Sequence, residues 1–170
     1  MHSLRGSAVV QRVVDAPVTA IWAVLSDGWL YASWVVGASR IRDVDPDWPE
    51  AGSRIHHSVG VWPALIDDST SVLSVVAERE LVLRARAWPA GEAVVRIDLD
   101  PQEEGRTAIS MAEDVAGGPG RLVPQPARQV LIIPRNREAL LRLSLLADGR
   151  AAELPGAAHP RRVVGRPGTF

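Results

Sequence analysis

The chain predicts an α+β fold: a curved antiparallel β-sheet wrapped around a long C-terminal α-helix, with two short helices after the first strand. Three observations carry this. An apolar strand ends at Val14 and passes into a helix start at Asp15-Ala16-Pro17. Runs of alternating polarity then fill the chain as far as Asp114. One long amphipathic segment follows, over residues 127–147. A sheet closed over a helix encloses a pocket, so the pattern also predicts a broad class of ligand.

Each element has its own signal. Residues 7–14 form the first strand. Asp15 is placed to cap free backbone N–H groups, and Pro17 suits a first turn because its nitrogen needs no partner there. Val18, Ile21, Trp22 and Leu25 fall at i, i+3, i+4, i+7 and make one apolar face, with Trp22 assigned to the core. A second short helix is expected over 29–35, after the break at Asp27-Gly28. Residues 38–44 read as a strand closed by the turn-rich Asp45-Pro46-Asp47-Trp48-Pro49. Residues 54–61 form the third, with Trp62-Pro63 as a kink or edge.

Strands over 69–77 and 80–88 join at a turn near Glu78-Arg79, and Pro89-Ala90-Gly91-Glu92 is a further turn. Strands over 93–99 and 107–114 flank Pro101-Gln102-Glu103-Glu104-Gly105 as a hairpin. Val95, Ile97 and Leu99 oppose Arg96 and Asp98 across the strand, so one face is buried and the other wet. Ala116-Gly117-Gly118-Pro119-Gly120 ends the strand pattern. In the last helix Pro134 is expected to kink the chain or mark a new start. Leu140, Leu141, Ser144 and Leu145 give its apolar stripe, while Arg135, Glu138 and Arg142 suit solvent.

Composition narrows the chemistry. The 170 residues fit one domain over 1–148, with 149–170 as a flexible tail rich in Ala, Gly, Pro and Arg. The formal charge is -1, which argues against a nucleic-acid partner. Every basic residue is Arg, so Schiff-base chemistry through lysine is excluded. There is no Cys, which excludes disulfides, thiolate metal sites and cysteine nucleophiles. No apolar segment precedes the first strand, and no apolar run reaches the ~20 residues of a membrane span. A cytoplasmic location and no cofactor are expected.

Several local strings resemble one superfamily. They are Ala16-Pro17 followed by Ala20-Ile21-Trp22 and Leu25-Ser26-Asp27, then Gly52-Ser53 before a strand. Met111-Ala112-Glu113-Asp114 before the Gly-Gly-Pro break, and Arg135-Asn136-Arg137-Glu138-Ala139-Leu140-Leu141-Arg142-Leu143, complete the set. In that order they resemble the START-like (SRPBCC) superfamily of polyketide cyclase/dehydrase and lipid-transport proteins, over residues 7–148. The resemblance implies a helix-grip fold, with a cavity between sheet and last helix for a lipid, sterol, polyketide or other apolar molecule. It maps no catalytic motif onto this chain.

The candidate residues follow from strand parity. His56-His57 cannot chelate one metal easily, because neighbours in a strand point to opposite faces. His57 shares parity with Ile55, Val59 and Val61 and is the inward one, as a ligand anchor or a hydrogen-bonded structural group. Six Trp stand against one Phe and one Tyr, and Trp34 and Trp62 sit where a cavity mouth is expected, as ligand walls or as plain core. Glu113 shares parity with Thr107, Ile109 and Met111. It is either an inward anchor or general acid, or a strand-end carboxylate that is exposed or paired with an Arg. Ile97, Met111 and Leu140 complete the pocket candidates. Asp43, Asp45 and Asp47 fail as a calcium loop, since Trp48 and Arg54 occupy positions that need Gly and Glu. No Gly-x-Ser-x-Gly elbow and no phosphate-binding loop is present.

Three functions fit. The leading one is binding or transport of a small hydrophobic ligand, lipid-, sterol- or polyketide-like. The second is a polyketide aromatase/cyclase or dehydratase, which requires at least two polar groups converging in the pocket. The third is an interaction module docking through the edge strand or the Trp-rich region, with a filled interior and an exposed aromatic patch. A homodimer is compatible with all three.

Overall fold

The computed structural model describes residues 7–61, 64–87 and 91–153. Seven strands form one antiparallel sheet: β1 (Val9–Val14), β2 (Ala38–Val44), β3 (Arg54–Val61), β4 (Ala64–Val76), β5 (Glu80–Ala87), β6 (Gly91–Pro101) and β7 (Thr107–Gly117). Their spatial order is β1-β7-β6-β5-β4-β3-β2. Strands two to seven are a run of hairpins, and β1 returns to pair with β7, Val10 opposite Met111. The two edges, β1 and β2, are joined in sequence by α1 (Val18–Leu25), a 3-10 turn (Gly28–Leu30) and α2 (Tyr31–Trp34). The long helix α3 (Gln125–Glu153) packs against α1, α2, β1 and β7. This is the expected α+β helix-grip arrangement.

The core lies between the inner sheet face and the helices. Ile55, Val72, Leu83, Ile97 and Ile109 bury from the strands against Ile21, Leu25, Leu140 and Leu143 from the helices. Glu78 takes a left-handed φ of 59° between β4 and β5. Gly91 opens β6 at φ 119°, with the Gly117 carbonyl so close that no Cβ would fit.

Several expectations need correction. Asp15 makes no helix cap; Pro17 occupies the N-cap position and has no side-chain capping bond. The Asp that caps is Asp27, whose carboxylate accepts from the Trp29 N–H at 3.1 Å. The buried face of α1 is Ala20, Ile21, Val24 and Leu25. Trp22 is only half-buried and packs at the core's margin. Strand β4 starts at Ala64 and carries Asp67 and Asp68 within it, since the β3 ladder holds them opposite Ser58 and His57.

Pro134 neither ends nor restarts α3. It lies on the exposed side, where the carbonyl left without a partner is open to water. Leu145 is exposed, and Leu143 takes its expected place in the core. The helix phase set by docking on α1 buries Ala139, Leu140, Leu143, Ser144 and Ala147. α3 also continues past 148 to Glu153; residues 154–170, with the Arg161-Arg162 pair, lie outside the described residues.

Candidate functional site: a polar-floored pocket under the last helix

Strand register decides which side chains meet. Pairing of His57 with Asp68, Ile55 with Thr70, and Thr70 with Ala85 puts His57, Asp68 and Thr70 on one inward patch. Val95 opposite Glu113 and Ile97 opposite Met111 put those four on the same face, further along the sheet. The short helix α2 lies over this floor and contributes Tyr31 and Trp34, both buried.

Tyr31 completes a buried hydrogen-bonded chain. Its hydroxyl is 2.8 Å from Thr70 Oγ1. The same Oγ1 is 3.0 Å from His57 Nε2. The Tyr31 and His57 rings stack at 5.3 Å, and Trp34 closes edge-on to Tyr31 at 5.5 Å. Burial pushes the Tyr31 phenol up to about 12, with Thr70 opposing and Glu113 adding to the shift. Burial likewise holds His57 below the ordinary imidazole range, against the pull of Asp68. His57 is thus neutral at neutral pH, and its Nδ1 is buried without a hydrogen-bond partner among the described residues.

A pocket of about 70 Å³ opens between this floor and α3. Tyr31, Trp34, Leu83, Val95, Met111 and Ala139 form most of its wall. Its charged and amide groups are Arg86, Glu113, Arg135 and Asn136. Glu113 is buried, and its Oε1 accepts from the guanidinium of the half-exposed Arg135. Asn136 Nδ2 is buried and has no acceptor among the described residues. At the same end of the sheet a wider cleft of about 840 Å³ runs past Asp68, Glu92 and Gly117. Arg86 borders both spaces.

The structure separates the sequence candidates. Trp34, Met111 and Glu113 line the pocket together. His57 stands behind Tyr31, two hydrogen bonds from the wall by way of Thr70. Ile97 is fully buried in the core beside Met111. Leu140 is buried at a separate groove between β1 and α3, shared with Val10 and Ile133. Trp62 lies outside the described residues. Of the two Glu113 readings, the inward position and the Arg partner hold together: the carboxylate is buried and Arg135 supplies its counter-charge.

Sequence reasoning passed over Tyr31, Thr70, Arg135 and Asn136. Tyr31 had a signal: it is the one Tyr in the chain, three residues before Trp34. Arg135 and Asn136 gave none, because a polar pair within an amphipathic helix reads as solvent-facing. Asp45 acts as a turn residue, accepting from the Arg54 N–H at 2.9 Å. Among the described residues no group of three His, Asp or Glu is placed to hold a metal ion, and no helix is long and apolar enough to cross a membrane.

The family model described as "Polyketide cyclase / dehydrase and lipid transport" matches residues 5–144. No curated protein is significantly similar to the sequence. Solved structures share the fold. Protein MLL2253 from Mesorhizobium loti is 22% identical, with a TM-score of 0.62 over 84% of this chain and 97% of its own. The di-domain ARO/CYC protein BexL of the BE-7585A biosynthetic pathway is 16% identical at a TM-score of 0.61, with 88% of this chain and 50% of BexL covered. Ara h 8.0201 is 9% identical at a TM-score of 0.60, covering 87% of this chain and 98% of its own.

Proposed function

The chain belongs to the polyketide cyclase/dehydrase and lipid transport family, and we propose that it binds a small, largely apolar molecule carrying at least one oxygen. The ligand class is lipid-, sterol- or polyketide-like, held between the sheet and α3. The observation that carries this reading is the buried Asn136 Nδ2, a donor without a partner among the described residues, on a wall that is otherwise mostly apolar. A buried donor left unpaired costs about 1–3 kcal/mol. A ligand carbonyl, hydroxyl or carboxylate oxygen would satisfy it, with Arg135 beside it. Apolar contact would contribute at about 25 cal/mol per Å² removed from water.

The inner pocket of about 70 Å³ takes only part of such a molecule. The rest would pass Arg86 into the wider cleft. Native mass spectrometry of the purified protein, followed by denaturation, tests the reading. The expected result is a released apolar compound, or saturable uptake of added fatty acids and small polycyclic ketones that Asn136→Leu weakens about tenfold. Failure to take up any of these compounds, with no released molecule, would refute it.

One observation favours a catalytic variant of this reading. Tyr31-Thr70-His57 and Glu113-Arg135 bring more polar groups to one pocket than a passive carrier needs. A polyketide aromatase/cyclase or dehydratase would use them to hold and move protons. Turnover of a linear poly-β-ketone mimic that Glu113→Gln abolishes, with binding retained, would select this variant. Binding without turnover would select the carrier.

A further inference from the structure

We propose that the first half of α3 docks on an anionic lipid surface through its outward apolar face. The observation is a second apolar face: Ile133 packs inward against the core beside buried polar groups, while other apolar residues face out. This stretch buries Gln129 and Asn136 and leaves Val130 and Leu131 70% and 79% exposed. At 100° per residue, Ala127, Val130, Leu131 and Pro134 centre on the line opposite Gln129, Asn136 and Leu143. Leu122, 87% exposed, and Val123 extend the patch into the turn before the helix. From Ala139 onward the polarity is ordinary, with Ala139, Leu140 and Leu143 inward. Asn136 faces inward onto the pocket, and Gln129 donates from its Nε2 to the Glu113 carbonyl at 3.2 Å. The outward apolar residues have no partner in the described residues, and a contiguous exposed apolar patch marks a contact surface.

Charge selects the occupant. Between Pro119 and Arg142 the charged residues are Arg121, Arg128, Arg135, Arg137 and Arg142 with one acid, Glu138, whose charge is paired by Arg142 one turn on. Arg128 and Arg135 pair inward with Asp114 and Glu113. Arg121 and Arg137 are exposed beside the patch, Arg121 near its start and Arg137 on its flank. An apolar stripe flanked by Arg is the composition of a helix that lies in the plane of an anionic bilayer surface. A second copy of this chain is a poorer occupant. Pairing the same face about a two-fold axis brings Arg121 and Arg137 of one copy toward those of the other, whether the helices run parallel or antiparallel. The argument stands apart from the identity of the pocket's ligand, although Arg135 and Asn136 lie on the same helix.

The test is co-sedimentation of the full chain with phosphatidylcholine vesicles made with and without phosphatidylglycerol. Binding is expected to the phosphatidylglycerol vesicles and to fall as salt rises. Val130→Ser with Leu131→Ser should lower the partition about tenfold or more. Arg121→Gln with Arg137→Gln should weaken binding to the phosphatidylglycerol vesicles selectively. All four positions are exposed, so far-UV circular dichroism and the thermal midpoint should not move. A wild-type chain that stays in the supernatant, or a serine variant that binds equally well, would overturn the proposal. So would self-association in sedimentation velocity that the serine variant abolishes without any vesicle binding, since that assigns the face to a second copy.

Discussion

Tyr31 is the one tyrosine of the chain, so its ionisation can be followed directly by absorbance at the phenolate band. The phenol is sealed between Trp34 and His57, with its oxygen on Thr70. Burial raises its pKa from the ordinary 10.0 to about 12. That difference corresponds to about 2.7 kcal/mol between the two protonation states. The sign follows from proton counting. Between pH 10 and 12 the unfolded chain has lost the phenolic proton and the native chain keeps it, so the native state binds more protons. Stability from this group is therefore fully present below pH 10 and declines as pH rises towards 12, by about 1.4 kcal/mol per pH unit. A spectrophotometric titration of the native protein should show no phenolate until about pH 12 or until the chain unfolds, whichever comes first. The same chain in guanidinium should titrate near 10. Tyr31→Phe should remove the signal and leave Thr70 with His57 alone, costing about 1–2 kcal/mol in urea unfolding. A native midpoint near 10 would refute the reasoning, because it would mean that solvent reaches the hydroxyl and that the pocket floor is not closed.

Three further outcomes are expected. His57 is held neutral by burial, so the unfolded chain binds a proton that the native chain refuses; stability should fall as pH drops below about 6.5, and His57→Gln should flatten urea midpoints measured across pH 7 to 5. Arg135→Met should destabilise by about 2–3 kcal/mol, because it strands the buried Glu113 carboxylate, whereas Glu113→Gln should cost about 1 kcal/mol or less, because the half-exposed Arg135 can turn to water; equal losses on thermal unfolding would contradict the burial difference. Gly91→Ala should abolish soluble, cooperatively folding protein or lower stability by more than about 3 kcal/mol, since its φ of 119° and the Gly117 carbonyl leave no room for a Cβ, and an unchanged melting curve would mean that the β6–β7 end is free to shift.

The sequence by itself determined the architecture. Alternation in β5, β6 and β7 reported which face of each strand is buried, because the side-chain period of a strand is two whatever its neighbours. The Pro17 start of α1 and the amphipathic run of α3 placed both helix starts to within two residues, while the end of α3 at Glu153 lies six residues past the expected 147. Parity was enough to turn His57 and Glu113 inward. It could not say what they would meet. The Tyr31-Thr70 contact spans 39 residues and Glu113-Arg135 spans 22, and such pairs exist only after hairpin register and helix docking are fixed. Helix phase was decided in the same way. With Leu at 140, 141, 143, 145 and 146, more than one stripe was available to α3, and packing on α1 chose Leu140 and Leu143. The second apolar face of α3 escaped the pattern altogether, since a hydrophobic period marks one face of a helix and only the tertiary structure says whether that face looks in or out.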